Sequence, residues 1–151
     1  MIELFRREYA WLSNFYEPSP ITYKGVTFNS VEAAFQAQKI QCASEGERRR
    51  QAQAFSSLGP LDAKRKGRNL PLRPDWEDVK LLVMENLLRL KFSHPVFRKL
   101  LLETGDQGLR EGNHWHDNFW GSCTCDKCSN RGLNHLGRLL MKIRAELRQK
   151  Q

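Results

Sequence analysis

The sequence predicts a mainly α fold, a single multihelical domain with a small β-hairpin near its N-terminus, and three observations carry that reading. From Asn29 onward, apolar residues recur every three or four positions, the spacing of one helix face. Serine, aspartate or proline stands where several of these runs begin, and glycine stands where some of them end. Before them, Ile21-Thr22-Tyr23 and Val26-Thr27-Phe28 flank Lys24-Gly25, a two-residue turn whose glycine accepts positive φ. The 151 residues contain no repeat, no low-complexity stretch and no dividing linker, so one domain spanning 1–151 is expected, large enough to bury a core.

Taken in order, the N-terminal part reads as short strands, the hairpin among them. Asn29 or Ser30 caps the first helix, SVEAAFQAQK (Ser30 to Lys39), with Glu32 in its first turn. A second helix is expected over Glu45 to Leu58. Pro60 opens a short third helix that Gly67 can end. Asp75, preceded by Pro74, caps the longest helix. Its positions Trp76, Val79, Val83, Leu87 and Leu90 form a core face that Leu81, Leu82, Met84 and Leu88 widen. Pro95 opens another helix through Val96, Phe97, Leu100 and Leu101, ending near Gly105. The last helix carries Leu133, Leu136, Leu140, Ile143 and Leu147 in register, with Arg138, Lys142, Arg144 and Arg148 on its other face.

Composition narrows the function. Hydrophobic residues make up 40% and charged residues 28%, ordinary for a globular protein in water. No apolar run approaches the roughly 20 residues that cross a bilayer, which argues against a membrane role. MIELFRREY lacks an apolar signal core, so a cytoplasmic location is expected. The net charge is +8, from 25 basic and 17 acidic residues, with Arg48, Arg49, Arg50, Lys64, Arg65, Lys66 and Arg68 crowded together. Such a run is either a solvated surface or an attractor of phosphate, nucleotide or nucleic acid.

Two segments mix polar groups with aromatics. In the first helix Glu32, Gln36 and Lys39 are spaced i, i+4, i+7 and share one face, with Val31, Ala34 and Phe35 turned inward. That face is either solvated or a carboxylate, amide and amine directed into a pocket. In HDNFWG, Asp117 and Asn118 precede Phe119 and Trp120, and Gly121 permits a tight turn. The rings are either core or a stacking surface for a heterocyclic base beside a carboxylate. SNFY pairs Asn14 with Phe15 and Tyr16 in the same manner.

Taken together, LSNFY (Leu12 to Tyr16), SVEAAFQAQK, GRNLPLRPDWEDVK (Gly67 to Lys80), KFSHP (Lys91 to Pro95), LLLETGDQGLREGN (Leu100 to Asn113), DNFWG and GLNHLGRLLMKIR (Gly132 to Arg144) resemble the NADAR/YbiA-like family of N-glycosidases. They run in family order over nearly the whole chain. Ala33 departs from the histidine that many members carry after the glutamate. The resemblance implies a mainly helical fold and hydrolysis of a C–N bond between a ribose carbon and a nitrogen. The family's substrate classes are ADP-ribose attached to guanine and phosphorylated ribosylamino-pyrimidine intermediates of riboflavin synthesis. Its motif glutamate falls on Glu32, its lysine on Lys39, and its aspartate and tryptophan on Asp117 and Trp120.

The chemistry fits those residue types. Cleaving an N-glycosidic bond builds oxocarbenium character, which a carboxylate stabilises, and a carboxylate must also orient or deprotonate water. Glu32 and Asp117 are expected to share these roles, in either order. Trp120 and Phe15 are expected to stack on the base or shape the ribose pocket, with Asn14, Gln36, Phe119, Gly121 and Asn134 as further substrate-binding positions. Lys39 is expected to bind phosphate or to form a Schiff base with a ring-opened sugar, and Arg73 to bind pyrophosphate through its fork of donors. No cofactor is called for. The expected partner is a nucleotide-like small molecule or ADP-ribosylated nucleic acid, and the charge favours ADP-ribosyl-guanine.

Four cysteines occur, Cys42, Cys123, Cys125 and Cys128, the last three in CTCDKC, too close together for a disulfide framework. Cys123, Cys125 and Cys128 are three candidate ligands for a structural zinc, which needs four. His114, His116 and Cys42 are open choices for the fourth, and a turn without metal is the alternative. From these features comes a competing reading, a basic nucleic-acid-binding module with a zinc-knuckle-like CxCxxC. A third is a silent partner-binding domain.

Overall fold

The computed structural model describes residues 1–151 and contains a 3-10 helix at Arg7–Leu12 and six α-helices. These are α1 (Val31–Ala37), α2 (Glu45–Gln53), α3 (Pro60–Arg68), α4 (Trp76–Ser93), α5 (Pro95–Glu103) and α6 (His135–Gln149). Four short strands accompany them: β1 (Ile21–Tyr23), β2 (Val26–Phe28), β3 (Gly112–Asn113) and β4 (Ser122–Cys123). The mainly α expectation holds. None of the helices is long and apolar enough to cross a membrane. Two compact units are present, Asn14–Lys91 and Met1–Ser13 with Phe92–Gln151.

In the Asn14–Lys91 unit, β1 and β2 form the expected antiparallel hairpin, with Tyr23 opposite Val26. Both turn residues are left-handed, Lys24 at φ 49 and Gly25 at φ 82, the type I′ geometry that matches strand twist. Helix α2 buttresses this turn: Arg48 Nη2 donates to Lys24 O at 3.3 Å, and its Nε donates to both oxygens of Glu45. Arg48 is therefore buried structure, and the basic run in which it lies is not wholly a solvated face.

Ser30 caps α1 as expected, its Oγ accepting from Ala33 N at 3.1 Å. The helix differs from expectation in two ways. It stops at Ala37, and every one of its residues is buried, so Glu32 and Gln36 lie in the interior. Helix α2 ends at Gln53, short of Leu58, because its backbone continues as tight turns from Gln51 to Leu58. Gly67 does not end α3; it lies inside the helix, where a Cβ would come within 2.8 Å of Gln36 Cδ. Its bare Cα lets α3 pack closely on α1.

Helix α4 buries Trp76, Val83, Met84, Leu87 and Leu88, but Leu81, Leu82 and Leu90 are exposed. The core face is narrower than the leucine count implied. Asp75 accepts from Val79 N through its backbone carbonyl, while both carboxylate oxygens take Arg73.

The other unit begins with the 3-10 helix rather than with a strand, and Ile2 only bridges Leu109. Trp11 packs edge-on against Phe92, and Phe92 against Phe97. Pro95 opens α5 and His94 Nδ1 caps it, accepting from Val96 N. Gly105 follows the helix at φ 63. Helix α6 buries Leu136, Leu140 and Ile143, while Leu133 precedes the helix and is exposed. Arg144, expected on the polar face, is buried and donates to Thr104 Oγ1 at 2.8 Å.

Candidate active site

In the Asn14–Lys91 unit, the polar residues of SVEAAFQAQK converge. Glu32 is 8% exposed, and its Oε1 accepts from Gln36 Nε2 at 2.8 Å. Its amide donates to Asn14 O at 3.1 Å, tying α1 to the SNFY segment. The Asn14 amide in turn donates to Met84 Sδ, while its Oδ1 is buried without a hydrogen-bond partner, as is Gln36 Oε1. Buried acceptors of this kind cost free energy unless something satisfies them.

Lys39 lies past the helix end, on the turn that follows Gln38, so it reaches the site from a loop. Its Nζ sits 6.0 Å from the ring centres of both Phe35 and Trp76, rings that pack 5.0 Å apart. Burial lowers the Lys39 pKa, and Lys64, Arg68 and Lys80 push it the same way, while the Glu32 carboxylate opposes them. The result is a carboxylate bound by an amide, with an amine that lies over two aromatic rings and feels the charge of three further cations. Lys64 also lies over the Phe15 ring at 5.7 Å. Arg73 N donates to Lys39 O, but the Arg73 guanidinium is held bidentately by Asp75 at 2.6 and 2.9 Å. That pairing raises the Arg73 pKa and occupies one edge of its donor fork.

The second motif lies in the other unit, where it forms a clamped loop. Asp117 Oδ1 accepts from Phe119 N and Trp120 N, so the carboxylate folds the turn that presents both rings. Asn113 braces the same turn from outside, accepting from Asp117 N and donating to Asp117 O. Phe119 and Trp120 meet edge to face at 4.8 Å, and His135 packs 4.6 Å from Phe119. Gly121 is obligatory for packing, since a Cβ there would come within 2.9 Å of Asn113 Nδ2 and overlap Glu111. Asn134, left-handed at φ 54, spends its amide on backbone: Oδ1 accepts from Glu111 N, and Nδ2 donates to Leu109 O. It shapes the loop.

Asn118 ties the loop to the cysteines, Oδ1 accepting from Cys123 N and Nδ2 donating to Cys128 Sγ at 3.2 Å. His116 Nδ1 lies 3.6 Å from Cys123 Sγ and 3.5 Å from the sulfurs of Cys125 and Cys128. Of the open choices for a fourth neighbour, His116 is the one placed there. His114 packs against Trp115, and Cys42 hydrogen-bonds Ser44 O.

Three residues escaped the sequence reading. Gly67 seats Gln36, yet in sequence it resembles a helix stop. Lys91 is 2% exposed, its Nζ 5.8 Å from the Tyr16 ring centre, and burial lowers its pKa to about 7. It was findable: Lys91 stands four residues after Leu87 and seven after Met84, in core register. Asn113 carried no signal, because its partners are backbone atoms.

A NADAR domain model matches residues 4–148. N-glycosidase YbiA of Shigella flexneri serotype 5b is 40% identical over 143 residues, covering 93% of this chain and 82% of that protein. A riboflavin biosynthesis protein of Vibrio vulnificus is 35% identical over 144 residues, 93% of this chain but 36% of that protein. The NMR structure of Escherichia coli YbiA superposes with a TM-score of 0.78 at 34% identity, over 99% of this chain and 88% of that one.

Proposed function

Because this chain belongs to the NADAR domain family, we propose that it is an N-glycosidase acting on the ribose C–N bond of an ADP-ribosylated guanine, free or on nucleic acid. The observation that carries this reading is the Glu32–Gln36–Lys39 cluster, a nearly buried carboxylate held by an amide beside an amine of lowered pKa. Water attacks the ribose carbon as its bond to nitrogen breaks, and the departing nitrogen takes a proton. Glu32, fixed by Gln36, stabilises the positive charge on the sugar, since a preorganised carboxylate in a poorly solvated site acts strongly. With Glu32 given the sugar, Asp117 as the other motif carboxylate is left the water, and Trp120 and Phe15 are the stacking faces.

Lys64 and Arg68 add positive charge near Lys39, as a pyrophosphate requires, while Lys80 is paired with Glu77. The lowered Lys39 pKa raises the neutral amine fraction, which suits attack on a ring-opened sugar aldehyde. Arg73 contacts phosphate with the donors that Asp75 leaves over. Asn14 and Gln36 each bring a buried, unsatisfied oxygen, suited to a donor on the sugar or base. In contrast, Phe119, Gly121 and Asn134 act by fixing the loop's shape.

A second substrate, a phosphorylated ribosylamino-pyrimidine, is favoured by the likeness to the Vibrio vulnificus riboflavin biosynthesis protein. Incubating the protein with an ADP-ribosylated guanine oligonucleotide and, separately, with the pyrimidine compound decides between them, with released base read by mass spectrometry. Guanine-side release supports the leading reading, and release only from the pyrimidine replaces it. Release from neither removes the activity assignment.

A further inference from the structure

We propose that His116, Cys123, Cys125 and Cys128 bind one zinc ion, and that this ion staples the loop carrying Asp117 to Gly121. The four ligand atoms lie within 4.8 Å of one another. A single nitrogen stands nearly equidistant from three sulfurs, at 3.5, 3.5 and 3.6 Å. A tetrahedral site with Zn–N of about 2.0–2.1 Å and Zn–S of about 2.3 Å has N···S edges of about 3.5 Å. An imidazole nitrogen packed among thiols for its own sake would engage one of them, since it has one proton or one lone pair to offer. Three equal contacts are the signature of a shared centre.

The backbone is shaped to the same end. Cys128 N and Ser129 N both donate to Cys125 O, curling the chain so that two sulfurs return to the point reached by Cys123 from β4. Ser129, Asn130 and His116 are left-handed, at φ 51, 57 and 68. A left-handed histidine is uncommon and is retained where the surroundings over-determine it. Asn118 supplies the outer contact that zinc thiolates usually receive, its amide donating to Cys128 Sγ at 3.2 Å. Three thiolates and one imidazole fill the four positions, leaving no open place for substrate or water, so the zinc is structural. Because His116 and Cys123 bracket Asp117–Ser122, and Asn118 bridges to Cys128, the metal closes a ring around the motif.

The test is elemental analysis of protein purified without chelator, which should find about one zinc per chain. Cys125→Ser and Cys128→Ser should lower that content at least about tenfold, while Cys42→Ser leaves it unchanged. Loss of those variants to misfolding is covered by a second measurement on the wild-type protein. After reduction and metal removal, cobalt(II) should give visible tetrahedral d–d bands and sulfur-to-metal charge transfer, which zinc then displaces. Zinc-free protein that takes up neither ion when reduced overturns the proposal, as does a zinc content that Cys42→Ser abolishes.

Discussion

The α1 site and the Asp117–Gly121 loop use the same ingredients, a carboxylate, an amide and a pair of aromatic rings, but they are stiffened by different forces. Glu32 sits on a helix with no exposed residue, and its position is set by packing: Gly67 under Gln36, Phe35 against Trp76. Asp117 sits on a loop whose position is set by hydrogen bonds between side chains and backbone. In the first, the carboxylate is carried by the scaffold, its Oε1 accepting from a side chain of the same helix rather than from the backbone. In the second, one carboxylate oxygen is itself part of the scaffold. A mutation therefore separates function from fold easily in one region and only by choice of substituent in the other.

The largest effect is expected at Glu32. Glu32→Gln keeps an oxygen to accept from Gln36 Nε2 and nearly the same volume, so the fold should survive. Losing the charge should cut kcat by about 10²–10³-fold. Steady-state kinetics with an unchanged unfolding midpoint would support the contrast between the regions. Full activity would remove Glu32 from the chemistry.

Gly67→Ala attacks the packing directly. The added methyl overlaps the Gln36 amide on a buried face, so the amide must leave its place at Glu32 or the helices must part. Overpacking of this kind costs about 1–3 kcal/mol, measurable by denaturant unfolding. If the Gln36 amide instead swings away at no cost, stability stays level and the packing account of this site fails.

Asp117 should show the opposite separation. Asp117→Asn retains an oxygen for Phe119 N and Trp120 N, so its stability should match the wild type while activity falls. Asp117→Ala abandons both amides and should lose about 1 kcal/mol more than the asparagine variant. Equal stability of the two would show that the loop is not held by that oxygen.

These two kinds of stiffening also explain what was legible in the sequence. The hairpin, the cap at Ser30 and the proline starts of α3 and α5 rest on local rules, and local rules are written in neighbouring residues. The i, i+4 pairing of Glu32 with Gln36 was readable for the same reason. Its burial was not, because that depends on Gly67, more than thirty residues away, and the same composition fits a solvated face. Leu82 erred in the other direction: periodicity names a face, but not how wide a partner covers it. Asn134 was expected to bind substrate and Asn113 gave no signal, and the partners of both are backbone carbonyls and amides, which no sequence pattern displays. His116, one of three open choices in the sequence, could be singled out only by closing the loop in space.

Lys91 gives the subtlest prediction, and it belongs to the packed region. A cation buried this completely loses hydration, which is why its pKa falls to about 7 against an ordinary 10.5. Between those values the unfolded chain holds a proton on this amine that the folded chain has largely shed. Stability attributable to Lys91 therefore rises as pH climbs through that window, and below about pH 7 burial of the charged amine opposes folding in full. Lys91→Met preserves length and apolar stem without the titrating group. The wild-type minus variant difference in unfolding free energy should become more favourable from pH 7 to 10, whereas a flat difference would mean that the amine keeps its proton in the fold.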